Sequence, residues 1–216
     1  MGHGHGRALG IAVALGLVMV AAPTARAGAP SDHLRTQIER VMKVLDDPGF
    51  KKEAKARDRR TAVRKIAEDL FDFSETAKRS LGRHWAQRSP GEKDEFVSLF
   101  ADLLERSYLS KIELYGGEKI LYVGESVDGE QAIVRTKIIT KQGTDVPIEY
   151  RMLRRGDRWL VYDVVIESVS LVSNYRTQFN KIIQTSSYQE LVKKMKTKQE
   201  EFHYEESAKQ KRTSRG

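Results

Sequence analysis

The sequence predicts a single α+β domain: helices first, then a four-stranded antiparallel sheet, then a closing helix. Three observations carry this. Apolar residues recur at spacings of three and four from Leu34 to Ile112, switch to every second position from Ile120 to Ile166, and return to helical spacing at Leu171. Turn residues at Asp128-Gly129, Gln142-Gly143 and Gly156-Asp157 cut the alternating stretch into four segments. The passage WLVYDVVIESVSLVSNYRTQF, residues 159–179, runs from strand period to helix period with no Gly or Pro between.

Residues 1–27 stand apart from the fold. Arg7 gives a positive start, ALGIAVALGLVMVAA an apolar centre, and Ala25-Arg26-Ala27 a small-x-small cleavage site, the layout of a secretory signal peptide cut before Gly28. The apolar run 8–22 is shorter than the roughly 20 residues a bilayer span needs. The expected location is therefore the periplasm.

The mature chain opens with a helix over 32–47, begun by Ser31 or Asp32. Leu34, Ile38, Val41, Met42 and Leu45 form its stripe, and Asp46-Asp47-Pro48-Gly49 stops it. RRTAVRKIAEDLFDF repeats the pattern with Val63, Ile66, Ala67 and Leu70, and a short helix after Ser74 ends at Gly82. SPGEKDEFVSLFADLLERSYLSKI has a capping box, Ser89 with Glu92, and Pro90 in the first turn. Phe96, Phe100, Leu103, Leu104, Tyr108 and Ile112 give it one long stripe, closed by Gly116-Gly117.

The strand segments are KILYV, QAIVRTKIIT, DVPIEYRML and RWLVYDVVIE. A three-residue loop 141–143 with Gly143 left-handed pairs Thr140 with Thr144, hence Ile138 with Val146, Thr136 with Ile148 and Val134 with Tyr150. A two-residue loop would set Lys137 against Ile148. An odd-length turn around Gly156 places Met152, Tyr150 and Ile148 with Leu160, Tyr162, Val164 and Ile166. Arg135, Lys137, Glu149, Arg151, Asp163 and Glu167 then share the other, wet face, and Pro147 suggests a bulge or bend. A last amphipathic piece holds Tyr188, Leu191, Val192 and Met195. Residues 28–196 form the domain, and 197–216 a charged, disordered tail with no apolar face.

Several chemistries are excluded or unsupported. The chain has no cysteine, so it has no disulfide, thiolate metal site or thiol nucleophile. His33, His84 and His203 are scattered, without metal-ligand spacing, and neither GxSxG nor a Gly-rich loop with a trailing Lys occurs. His84 beside Trp85 reads as a loop histidine, and Asp163 as structural or solvated. The formal net charge of +8, two of it from Arg7 and Arg26, favours anionic partners such as lipid head groups. KKEAKARDRR, residues 51–60, reads as a solvated helix face or a docking patch. What remains is apolar surface rich in Tyr, Ile and Val, open to two readings: plain core or a ligand cavity.

FDFSETAKRSLGRHWAQRSPGEKDEFVSLFADLLERSYLSKI (71–112) and DVVIESVSLVSNYRTQFNKII (163–183) resemble the toluene-tolerance family, typified by the periplasmic phospholipid-binding carrier of the Mla pathway. The matching frame includes Phe71-Asp72, Leu81-Gly82, Trp85, Phe96, Phe100, Leu104 and Tyr108, then Asp163, Glu167, Val169, Asn174, Tyr175, Arg176 and Phe179. The likeness covers about residues 30–195. It implies helices wrapped around a twisted sheet, akin to the nuclear-transport-factor-2-like (NTF2-like) cone, with lipid acyl chains in the hollow between them. With this fold, the alternation gives as lipid-binding residues Tyr108, Ile112, Ile148, Tyr150, Tyr162, Val164, Ile166, Val169, Tyr175 and Phe179. The implied partners are a phospholipid, or a hopanoid as in one branch of the family, an inner-membrane ABC transporter complex and an outer-membrane lipoprotein complex, the carrier being a monomer. No cofactor, metal or nucleic acid is implied. Two rivals stand beside it. An isomerase or dehydratase of the same cone-shaped class needs an inward acid–base pair, and the inward positions here are apolar or Tyr. A periplasmic adaptor would use the apolar face as core alone.

Overall fold

Pro30 opens the first helix, α1 (Pro30–Asp46), where its missing N–H is one of the donors a helix start leaves unpaired anyway. Neither Ser31 nor Asp32 caps this helix as expected; the Ser31 N–H donates instead to Glu125 Oε2 at 2.7 Å. The computed structural model describes residues 29–50 and 55–213 of the 216-residue chain, so the expected signal peptide lies outside the described residues. Helix α2 (Ala56–Leu70) buries Val63, Ile66 and Leu70. Helix α3 (Phe73–Leu81) begins two residues before Ser74 could cap it, because Asp72 takes the capping position and accepts the Glu75 N–H at 2.8 Å. Gly82, at φ 57°, ends it in a conformation that suits glycine. Helix α4 (Pro90–Glu113) carries the expected capping box, with the Ser89 N–H donating to Glu92 Oε2 at 2.8 Å and the Glu92 N–H to Ser89 Oγ at 3.2 Å.

The sheet is an antiparallel meander in the order β1 (Lys119–Asp128), β2 (Gln131–Ile139), β3 (Asp145–Arg155), β4 (Arg158–Ile166), β5 (Val169–Ser170). The fifth strand, two residues long, was not expected. The β2–β3 register is the predicted one: Ile138 faces Val146, Thr136 faces Ile148 and Val134 faces Tyr150, with Gly143 at φ 79° in the loop. Pro147 makes no break there. Its carbonyl accepts from the Glu167 N–H on the β4 side, so the donor it lacks falls just where β4 ends.

The β3–β4 pairing corrects the predicted faces. The turn is two residues long, with Arg155 opposite Arg158, and a bulge leaves Tyr162 unpaired between Arg151–Asp163 and Met152–Val161. Ile166 and Val164 lie with Ile148 and Tyr150 as expected, but Met152 meets Val161, so Leu160 and Tyr162 turn to the opposite face. That face is polar on β2 and β3, where Arg135 pairs with Glu149 at 3.1 Å and Lys137 with Asp145 at 3.1 Å. On β4 it is not wet: α3 and α5 pack over it, and Leu160, Tyr162, Asp163 and Val165 are all buried.

Helices α5 (Leu171–Thr185) and α6 (Tyr188–Thr213) complete the chain. The stretch expected as a disordered tail continues α6 through Thr213. Side chains at its start reach α4 in place of an apolar stripe: just beyond the Lys196–Glu95 pair at 2.6 Å, Gln199 donates to Asp102 and Arg106 lies over the Phe202 ring.

Two apolar groups hold the fold. One joins α3–α6 around Phe96, Phe100, Phe179, Tyr188 and Leu191, with Phe96 and Phe100 ring centroids 5.6 and 5.3 Å from Phe179. The other joins the sheet to α1 and the end of α2 around Leu34, Leu70, Val134, Met152 and Val161. Arg64 on α2 links them by reaching α4, 2.8 Å from Asp102 and 2.9 Å from Glu105. Burial pushes the Glu105 carboxyl up, against the pull of Arg64.

Candidate lipid-binding recess

Burial changes along the apolar face of the sheet. At one end Ala132, Val134, Met152, Trp159 and Val161 are sealed in the group that contains Leu34 and Leu70. Toward the other end Tyr122, Ile138, Val146, Tyr150 and Ile166 pack against the same group but keep accessible surface. Tyr150 shows what this means. It sits deep enough for desolvation to push its phenol up to about 12, opposed by the Thr136 hydroxyl, and yet it is not closed off. A side chain that is deeply placed and still accessible marks this end of the sheet face as the candidate recess. Burial also raises the Tyr122 phenol, countered by Arg35, whose guanidinium carbon lies 4.0 Å from the ring centroid.

Helix α5 carries the lining from the sheet to the helical group. Leu171 packs with the sheet residues, and Tyr175, one turn on, packs with Phe100 and Phe179 at centroid distances of 5.0 and 5.5 Å. Tyr175 in turn lies near enough to Tyr108 of α4 to add to the effect of burial, which chiefly raises the Tyr108 phenol. Leu103 and Leu104 flank it, half-buried against the same helices.

The strand-to-helix passage works without glycine because two other residues accept the strain. Glu167 and Ser168 take φ of 48° and 69° between the paired residues Ile166 and Val169. Asp163 ties the junction. Its carboxylate, 3% exposed, accepts from the Val172 N–H at 3.0 Å, Ser170 Oγ at 2.7 Å and Arg151 Nη1 at 3.2 Å. Ser170 Oγ accepts in turn from the Ser173 N–H, capping α5. The sequence reading of Asp163 as structural fits; its place among wet residues does not.

Of the ten residues taken from the sequence, Ile148, Tyr150, Val164 and Ile166 share the apolar sheet face, and Tyr108 and Tyr175 meet beside it. Four lie elsewhere. Phe179 is sealed in the helical core, Tyr162 is on the opposite face under the Arg79 guanidinium, and Ile112 and Val169 are exposed by 38% and 57%. The sequence reading missed Tyr122, Ile138, Val146 and Leu171. The alternation of β2 could have found Ile138, and the pairing of Thr140 with Thr144 gives Val146. His84 shares Asn180 Oδ1 with Arg83, each at 3.0 Å, and no acid partners it. A shallow surface cleft bordered by Asp47, Phe50, Lys55, Asp58, Ala62 and Lys65 lies at the α1–α2 connection, apart from the sheet face.

Comparison with known proteins bears on the whole arrangement. The family described as MlaC protein matches residues 35–197. The intermembrane phospholipid transport system binding protein MlaC of Haemophilus influenzae is 24% identical over 158 residues, 71% of this chain and 70% of that protein. A phospholipid-binding protein from Ralstonia solanacearum, solved in complex with a phospholipid, shares the fold at a TM-score of 0.70 and 22% identity, covering 79% of this chain and 96% of that one.

Proposed function

This chain belongs to the MlaC family, and we propose that it is a periplasmic carrier that holds the acyl chains of a phospholipid in the recess between sheet and helices. The observation that carries the reading is the set of deep but accessible apolar side chains, Tyr122, Ile138, Val146, Tyr150 and Ile166, at one end of an otherwise sealed sheet face. Residues 1–27 supply export. No step of this reading is catalytic.

The physics of such a carrier is demanding. Each acyl CH₂ removed from water contributes roughly 0.8 kcal/mol. Leaving about eight of them exposed would cost on the order of 6 kcal/mol against the bilayer. Tails must therefore be almost fully covered, while the hydrated head group stays outside. Tail volume, more than head-group identity, sets the choice of cargo.

The carrier shuttles lipid between an outer-membrane complex and an inner-membrane ABC transporter. The α3–α5 side suits docking on an acidic protein surface. Helix α5 carries Arg176 and Lys181 and no acid, while Lys78, Arg79 and Arg155 stand out over Asp72 and Glu75, whose side chains are only 11% and 12% exposed.

Native mass spectrometry on mature protein purified without detergent, followed by organic extraction, tests the cargo directly. A bound phospholipid is expected. A polycyclic terpenoid would keep the carrier and change its cargo, and a protein still empty after incubation with liposomes would refute the reading.

A further inference from the structure

The apolar sheet face holds three hydroxyls that acyl chains leave without a use. Tyr122 on β1 stands directly opposite Thr136 on β2, and Tyr150 on β3 lies two residue pairs along, opposite Val134. Alternation puts all three on the face that carries Val134, Ile138 and Ile148. Thr136 is 1% exposed, and its Oγ1 completes no hydrogen bond of ordinary geometry. The Tyr150 phenol feels the Thr136 hydroxyl, which lowers it against the larger effect of burial, so the two hydroxyls lie within reach of one another. A buried hydroxyl with no completed hydrogen bond is costly, and a methylene chain cannot relieve it. Arg35 lies against the Tyr122 ring at 4.0 Å and Glu39 acts on the same phenol, and both are exposed, so these charges stay at the outer side of the group.

We propose that the Tyr122 and Tyr150 phenols, positioned by the buried Thr136 hydroxyl beside them, form a polar anchor that takes one neutral oxygen of the cargo, an ester carbonyl of a glycerolipid or a hydroxyl on a polycyclic terpenoid. The inference rests on the carrier reading and adds to it a choice of cargo by linkage chemistry. An ester carbonyl accepts from the Tyr150 or Tyr122 O–H, whereas a hydroxyl both donates and accepts, and a phenol serves either. An ether-linked lipid of the same chains and head group lacks the carbonyl and leaves the anchor unpaired.

The test presents the full mature protein with vesicles containing equal amounts of diacyl phosphatidylglycerol and its dialkyl ether analogue of matched chains, then measures the ratio of extracted lipids by mass spectrometry. The wild-type protein is expected to enrich the diester about fivefold, the worth of one hydrogen bond. Tyr150→Phe and Thr136→Val should bring the ratio toward one while total bound lipid stays measurable. A parallel arm offers a hydroxylated pentacyclic triterpene against its parent hydrocarbon. Preference for the hydroxylated compound alone would assign the anchor to a terpenoid hydroxyl in place of an ester. Lipid bound in both arms without preference in either overturns the anchor and leaves the carrier standing. Binding of no lipid at all overturns both.

Discussion

Replacing Asp163 by alanine should loosen the seam between the sheet and α5, and the cost can be worked from its contacts. The carboxylate is 3% exposed and accepts three hydrogen bonds, from the Val172 N–H, Ser170 Oγ and Arg151. Arg151 is 38% exposed, so solvent screens its share to about 1 kcal/mol or less. The other two are shielded. Losing a charge-assisted hydrogen bond costs about 1.5–3 kcal/mol, and the Val172 amide, buried at the start of α5, would be left without its acceptor. Water admitted by the truncation recovers part of this. The net expectation is about 3–5 kcal/mol, which for a domain of this size lowers Tm by roughly 10–15 °C. Asp163→Asn keeps one acceptor oxygen and should lose about half as much. Differential scanning calorimetry on both variants reads the difference. If Asp163→Ala unfolds within about 3 °C of wild type, the junction is held by apolar packing alone and the argument from Asp163 is wrong.

Three further outcomes follow from the same geometry. Ile166→Trp enlarges a side chain on the recess wall; in a filled core this costs about 1–3 kcal/mol, but here stability should change by less than about 1 kcal/mol while extractable bound lipid falls sharply. Arg64→Ala removes the ion pairs from α2 to Asp102 and Glu105, so transfer of a fluorescent phospholipid to acceptor vesicles should speed up, with little loss of thermal stability because Arg64 is 45% exposed; an unchanged transfer rate would count against the bridge as a restraint on the recess. Alkaline titration followed at the phenolate absorbance should show Tyr150 and Tyr188 ionising near 12, not 10. Because both are raised in the folded protein, their contribution to stability is complete below pH 10 and is lost as pH rises from 10 through about 12.

What was legible in the sequence was whatever a local rule decides. The Ser89–Glu92 capping box and the Gly143 loop each depend on residues within a few positions of one another, and both stand as predicted. The β3–β4 hairpin was misread for a specific reason. Its turn has an even length, and the bulge at Tyr162 adds one more residue, so two odd steps cancel beyond Asp163. Parity is therefore right for Val164 and Ile166 and wrong for Leu160 and Tyr162. A bulge leaves no signal in hydrophobic alternation when both faces are buried, and on β4 both are. The helical continuation past Lys196 was hidden for a different reason: Lys196, Gln199 and Phe202 lean on Glu95, Asp102 and Arg106 about a hundred residues away. No periodicity within the segment reports such partners.

The division into two apolar groups bears on how a carrier survives without cargo. A protein whose single core included the lipid would lose that core at each delivery, and its stability is only about 5–15 kcal/mol to begin with. Here Phe96, Phe100, Phe179 and Leu191 close on one another within the helices, and Leu34, Val134, Met152 and Val161 close on one another at the sheet, all at most 3% exposed. The recess residues, among them Tyr122, Tyr150 and Tyr175, pack against the outside of these groups. Four of the residues between them, Tyr122, Tyr150, Tyr175 and Tyr108, are tyrosines set among the aliphatic Ile138, Val146, Ile166 and Leu171, and a phenol tolerates water at one end while offering an apolar ring at the other. Such a lining is less costly to wet than one of leucine or isoleucine. The mixture of phenols and aliphatics in the wall thus fits a recess that is filled and emptied repeatedly.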